Sequence, residues 1–223
     1  MHAHPDGGFA AQHLGTAHGK SEAWVVLSGG TVHLGLTREV GEEELRALVD
    51  GQRTSELLAL LHPIHVEPGD AVFVPAGQLH AIGAGVLVLE VQEPEDLSIL
   101  LEWDGFAIDG AEEGHLRLGF DTALQAVTRA PLDDAALAGL ITRGTTSGEV
   151  LPPAAAPFFS VERVPVSVAV ELPAGYAVVL VERGDVEFDG IALRTGATVA
   201  VPAGPVQVWS VPGVRVTAVT STA

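Results

Sequence analysis

Cysteine is missing from all 223 residues. That excludes disulfides and thiolate metal sites, so any bound cation must be held by imidazole, carboxylate or amide oxygen. Positive charge is scarce as well: 11 Lys and Arg stand against 29 Asp and Glu, a formal net charge of −18. This balance repels phosphate backbones and anionic membrane surfaces, so neither nucleic acid nor a membrane is an expected partner. No apolar run reaches the roughly 18 residues that a membrane span needs. The opening MHAHPDGGFA lacks a basic-then-apolar signal pattern, and a cytoplasmic location is expected. What is present is 47% hydrophobic residues, enough for a real core in one large or two small domains, and nine histidines as the pool of metal ligands.

Short valine-rich runs closed by Gly or Pro dominate the chain: AWVVLSGG, TVHLGL, AVFVPAG, GVLVLEVQ, VSVAVELPAG, YAVVLVERG, VQVWSVPG and VRVTAVT. They predict the strands and turns of a sandwich or barrel. Two segments break the pattern. Residues 39–61 carry acidic starts and Leu at helical spacing, which predicts one or two inserted helices. Residues 120–140 read similarly, with Asp133 and Asp134 suited to a helix start after Pro131. The stretch TRGTTSGEVLPPAAAP reads as a connector, which places a boundary near residue 150.

An internal repeat favours two barrels. GDAVFVPAGQLH, from Gly69 to His80, matches GATVAVPAGPVQ, from Gly196 to Gln207. Gln207 stands in the second copy where His80 stands in the first, and no His-x-His precedes the second copy. The first copy can bind metal; the second keeps the scaffold only.

Three elements converge on that expectation. His2 and His4 in HAHPD point to one face of a strand, because side chains alternate. Glu22 begins the strand of GKSEAWVVL, and His80 follows the PAG turn of a third. Neighbouring barrel strands can bring these three imidazoles and one carboxylate to a point, a donor set suited to Zn²⁺ or a similar divalent ion. A His-x-His alone is weak, since it also arises by accident or as a purification remnant. His13, His18, His33, His62, His65 and His115 lie outside the pattern and are expected at the surface or in loops.

The pattern G-x5-P-x-G-x2-H, with an upstream H-x-H and an intervening Glu, resembles the two-part signature of cupins. The expected fold is therefore mainly β, two cupin-like jelly-roll barrels with short helical insertions. Residues 1–119 would form the metal-binding barrel, 120–150 a helical segment and connector, and 151–223 a degenerate barrel. The order His2-Ala3-His4-Pro5, Gly19-Lys20-Ser21-Glu22-Ala23-Trp24, helical insert, Gly69 to Gly83, then Glu90-Val91-Gln92 with Asp96, resembles the type I mannose-6-phosphate isomerases. The resemblance implies a zinc-dependent aldose-ketose isomerase, converting mannose 6-phosphate to fructose 6-phosphate, with His2, His4, Glu22 and His80 as ligands. It further implies Lys20, Glu90 and Asp96 as catalytic groups, with Lys20 also touching substrate; a solvated lysine and a solvated acidic loop are the plain alternatives.

The chain departs from that family in three ways. Leu100 stands where the family carries an arginine, which weakens the case for a phosphorylated substrate; Arg117 is a candidate replacement, a surface arginine the plain alternative. His2 replaces a glutamine. The segment that usually precedes the first ligand is not seen, and an open barrel edge would favour pairing as a homodimer. Two other readings stay open: a non-catalytic metal- and sugar-binding cupin, and a cupin enzyme of another class, such as an iron dioxygenase.

Overall fold

Alternation of apolar and polar residues sets the strands, and their pairing follows from which faces must be buried. The computed structural model describes the backbone of residues 1–166, 170–172, 176–188, 190–201, 206–210 and 214–221, with side chains described as far as Val201 except at 171 and 172. The chain begins with β1 (His2–Ala3), α1 (Gly7–His13), β2 (Glu22–Ser28) and β3 (Gly30–Leu36). After α2 (Glu42–Asp50) and α3 (Thr54–Ala59) come β4 (Leu61–Val66), β5 (Ala71–Val74), β6 (His80–Ile82), β7 (Leu87–Gln92) and β8 (Ile99–Leu100). Short helices α4 (Gly110–Glu113), α5 (Phe120–Ala123) and α6 (Asp134–Ala138) lead to β9 (Ile141–Thr142).

These strands form two antiparallel sheets, ordered β4-β3-β6-β1-β8 and β7-β2-β5-β9. Val32, Leu34, Ile64 and Val66 of the first sheet meet Val25, Val72 and Phe73 of the second in one buried cluster. The opposite face of the first sheet presents Ala3, Leu36, Ile99 and Leu101 to α2, α3 and α5. Truncating one of these fully buried leucines to alanine costs about 2–5 kcal/mol.

The helical insert is explained by its stripe. Leu45, Leu48 and Val49 of α2 are buried, while Glu42, Glu43 and Glu44 sit in the first turn, where the helix dipole favours negative charge. The expected span of 39–61 resolves into two helices that start at Glu42, and Leu61 already belongs to β4. Asp133 caps α6 by accepting a hydrogen bond from the Ala136 N–H at 2.8 Å, as its sequence position predicts. Helices α1 and α4 were not expected. His33, His62 and His65 lie on β3 and β4 rather than in loops, and His33 and His62 are half-buried.

The chain continues with β10 (Gly148–Glu149), β11 (Phe159–Val166), β12 (Val170–Leu172), β13 (Ala177–Arg183), β14 (Asp185–Phe188), β15 (Ile191–Arg194), β16 (Thr198–Val201), β17 (Val206–Ser210) and β18 (Val214–Ser221). Their sheets are ordered β10-β11-β18-β13-β16 and β12-β17-β14-β15. Val166, Val179, Val181, Val186 and Phe188 form a core of their own, whereas Phe159 and Val161 pack into the cluster of the first half. The architecture is thus mainly β and antiparallel, as the sequence pattern predicts. The Pro-Ala-Gly residues of the second repeat, 202–204, and the Gln207 side chain lie outside the described residues. Among the described residues no helix is long and apolar enough to cross a membrane.

Candidate metal centre

His2, His4, Glu22 and His80 come together, each offering a ligand atom within 4.8 Å of the others. Local sequence explains how each arrives. His4 precedes a proline, which keeps it extended, so it stays on the side of β1 that His2 faces. Asp6 then caps α1 through the Phe9 N–H at 2.7 Å and turns the chain away. His80 opens β6 and pairs directly with His2. Glu22 opens β2 and reaches the cluster from the facing sheet.

Two glycines allow the backbones to close. The Gly77 N–H, in the PAG turn, donates to the His4 carbonyl at 2.7 Å. Its φ is +88°, and a Cβ there would lie 2.5 Å from Thr128 Oγ1, so only glycine fits. At Gly19 a Cβ would lie 2.6 Å from the Pro5 carbonyl oxygen, the atom that accepts the Lys20 N–H at 3.0 Å.

The rings are aimed by main-chain oxygens. His4 Nδ1 lies 2.7 Å from the Leu97 carbonyl and His80 Nδ1 2.8 Å from that of Gln78, so each Nδ1 carries the proton and each Nε2 turns a lone pair into the cluster. Ser98 Oγ stands 3.4 Å from His4 Nδ1 on the same side. Glu22 Oε2 is 2.9 Å from His4 Nε2, and Oε1 is 3.2 Å from His80 Nε2, which has no hydrogen-bond partner among the described residues. His4, Glu22 and His80 are each only 1% exposed. Buried lone pairs facing one another repel unless a cation lies among them.

Lys20 supplies positive charge at the rim: its Nζ is 3.1 Å from Glu22 Oε2 and 3.1 Å from His4 Nε2. Trp24 Nε1 donates to Glu22 Oε1 at 2.9 Å. Burial alone would push the Glu22 carboxyl up, but the facing His4 and His80 rings outweigh it and hold the group well below the usual carboxylate range. Burial lowers His4, and burial with the neighbouring rings lowers His2 to about 2, so both imidazoles are neutral and free to ligate. An N3O donor set with no thiolate fits a first-row divalent ion.

The remaining predicted residues divide. Glu90, on β7, lies opposite Trp24 in the strand pairing. Its side chain is exposed, yet partial desolvation by its neighbours, followed by the charge of Glu22, raises its carboxyl above the ordinary value. Asp96 is exposed on the loop after β7 and makes no hydrogen bond or ion pair among the described residues; its neighbours Leu97 and Ser98 engage His4 instead. Arg117 is exposed and makes no hydrogen bond to the cluster; it lines an open groove of about 490 Å³ with Leu97. Sequence reasoning missed the Leu97 and Gln78 carbonyls, Ser98 and the indole of Trp24. Of these, only Trp24 had a signal, its place two residues beyond Glu22 on the same strand face.

No family model matches the chain. Over 223 residues it is 29% identical to a mannose-6-phosphate isomerase of Streptococcus mutans, an alignment covering 96% of this chain and 67% of that one. A mannose-6-phosphate isomerase of Bacillus subtilis is 31% identical over 122 residues, 52% of this chain and 38% of its own. The chain therefore spans about two thirds of the first relative and well under half of the second. Among solved structures, the mannose 6-phosphate isomerase of Bacillus subtilis superposes with a TM-score of 0.66 at 20% identity, covering 98% of this chain and 70% of that one. A variant of the phosphomannose isomerase of Salmonella typhimurium gives 0.68 at 16% identity, covering 100% and 76%. These likenesses extend over both halves of the chain.

Proposed function

We propose, from the premise that the chain belongs to the mannose-6-phosphate isomerase family and has its cupin fold, that it is a metal-dependent isomerase interconverting an aldose with its ketose. Mannose 6-phosphate and fructose 6-phosphate are the first pair to assay. The observation that carries the reading is the buried convergence of two carbonyl-anchored imidazoles, a third imidazole and Glu22. His2, His4, Glu22 and His80 would hold one cation per chain, with Zn²⁺ the first choice for such a donor set. When bound, the cation supplies Lewis acidity to sugar oxygens that gain negative charge as the substrate enolises.

The chain's own groups supply the rest. Glu90, with its raised carboxyl, takes the proton from C2 of the aldose and returns it to C1 of the ketose. Lys20 donates hydrogen bonds to sugar oxygens at the rim of the cluster. Asp96, beside the Leu97 carbonyl that orients His4, serves as the second carboxylate of the cleft. Because Glu90 must be ionised to act as base, turnover falls as pH drops through its raised value.

Metal-loaded protein should interconvert the aldose and ketose, and Glu90→Gln should lower kcat by about 10²- to 10⁴-fold with metal content unchanged. Absence of turnover on every hexose or pentose tested, phosphorylated or free, while the metal stays bound would sink the isomerase reading.

A further inference from the structure

The groups that meet the two oxygens of Glu22 are of unequal kind. Oε2 faces His4 Nε2 at 2.9 Å and Lys20 Nζ at 3.1 Å, while Oε1 faces His80 Nε2 at 3.2 Å and accepts a hydrogen bond from Trp24 Nε1 at 2.9 Å. The imidazole lone pairs offer the carboxylate no proton, and a lysine is a compact charge on a flexible stem. The indole N–H is different: it is a neutral donor, carried on a rigid ring with no acceptor of its own. That ring is fully buried, so its direction is set by packing. It also meets His80 edge-on, with centroids 5.6 Å apart and planes inclined at 62°. One side chain therefore braces two of the four candidate ligands.

The second half of the chain shows that the strand position does not itself call for tryptophan. Trp24 pairs with Val72 and Val179 pairs with Val199, and these two valines hold the same place in the repeated segments GDAVFVPAG and GATVAVPAG. By the same register Glu22 corresponds to Ala177. Val179 is fully buried in its own core, so a valine fills the equivalent place there. The carboxylate and the indole are present together in one half and replaced together in the other. A buried N–H needs an acceptor and a buried carboxylate needs donors, so the two form a unit rather than a chance contact.

We infer, resting on the metal-centre part of the reading above, that Trp24 is a positioning residue for that centre. Its N–H ties down one oxygen of Glu22 and leaves the other turned to the histidine nitrogens, so the carboxylate meets a cation with its orientation already fixed. Zn²⁺ affinity of the full chain, measured by chelator competition without substrate, tests this. Trp24→Phe deletes the N–H and keeps an aromatic ring; it should weaken Zn²⁺ binding about 10- to 100-fold and shift the visible bands of the Co²⁺-loaded chain. Trp24→Met makes the same deletion with a flexible side chain to fill the space, and carries the same expectation. Val72→Ala loosens the strand partner of Trp24 but spares the N–H, and should change neither readout. Unchanged Zn²⁺ affinity in the tryptophan variants, an unshifted Co²⁺ spectrum, or an equal loss in Val72→Ala overturns the proposal. A wild-type chain that binds neither ion overturns it together with the metal reading, whereas a chain that binds Zn²⁺ and converts no sugar fails the isomerase reading alone.

Discussion

The two halves of this chain share one strand plan and differ in what it carries. The order β4-β3-β6-β1 of the first half recurs as β15-β14-β17-β12 in the second, and β7-β2-β5 recurs as β18-β13-β16. Register makes the correspondence residue by residue. Glu22 pairs with Val74, just before Pro75-Ala76-Gly77; Ala177 pairs with Val201, just before Pro202-Ala203-Gly204. His2 pairs with His80, and Glu171 pairs with Gln207. The second half therefore has an alanine at the place of the central carboxylate and no histidine at either strand position. A strand plan alone does not gather such a donor set; four side-chain identities do. The halves differ also between their third and fourth strands, where the first inserts α2 and α3 and the second pairs Phe188 directly with Ile191.

The sharpest way to break this comparison is to remove a ligand. Glu22→Ala or His80→Ala should reduce bound metal from about one per chain to near none and lower turnover by roughly 10³-fold or more, because the cation loses a buried donor. Adding a carboxylate by Ala177→Glu should recruit no second equivalent. Metal analysis of the purified variants decides both, and retention of metal by both ligand variants would dissolve the distinction between the halves.

A second test concerns how the halves are joined. Arg163 of β11 is 1% exposed; its Nη2 donates to Glu182 of β13 at 2.9 Å, and its Nη1 reaches the Thr145 carbonyl and, at 3.4 Å, that of Gly69 in the first half. Arg163→Met strips a buried charge partner from Glu182 and should cost about 3–5 kcal/mol in denaturant unfolding. A loss under about 1 kcal/mol would mean that apolar contacts such as those of Phe159 and Val161 suffice.

The smallest expected effect concerns Asp70, whose counterpart by the repeat is Ala197. Burial would raise its carboxyl, but the Glu67 N–H at 3.0 Å, Arg143 at 2.6 Å and the Gly144 N–H at 2.9 Å outweigh this and lower it. The folded value lies below the unfolded one, so the unfolded chain takes up its proton first as pH falls. Its stabilisation is complete above the ordinary aspartate value of about 3.9 and fades below it. Asp70→Ala should cost about 1–3 kcal/mol at neutral pH and proportionally less in acid. A pH-independent loss would assign the effect to packing.

Much of this is legible in the sequence alone. Valine alternation announced the strands, and the spacing of His2, His4, Glu22 and His80 announced the cluster, because strand periodicity converts sequence spacing into a shared face. The α1 helix was not legible: it opens on Gly7 and Gly8, poor helix formers, and is held by the Asp6 cap and by packing. The carbonyls of Leu97 and Gln78 were invisible because every residue has one, and only the path of the loop decides which carbonyl meets an imidazole. The place of Leu100 beside His2 required the β1–β8 register, a long-range pairing that no local window contains.

Those two carbonyls have a bearing on how the centre can drift over generations. Since the atoms that orient His4 and His80 belong to the main chain, no exchange of side chain at 97 or 78 deletes them. Ring orientation is thereby inherited through loop geometry, and selection can rewrite the sequence around the cluster while leaving its aim intact. An insertion or deletion in either loop, by contrast, would misdirect a ring at once.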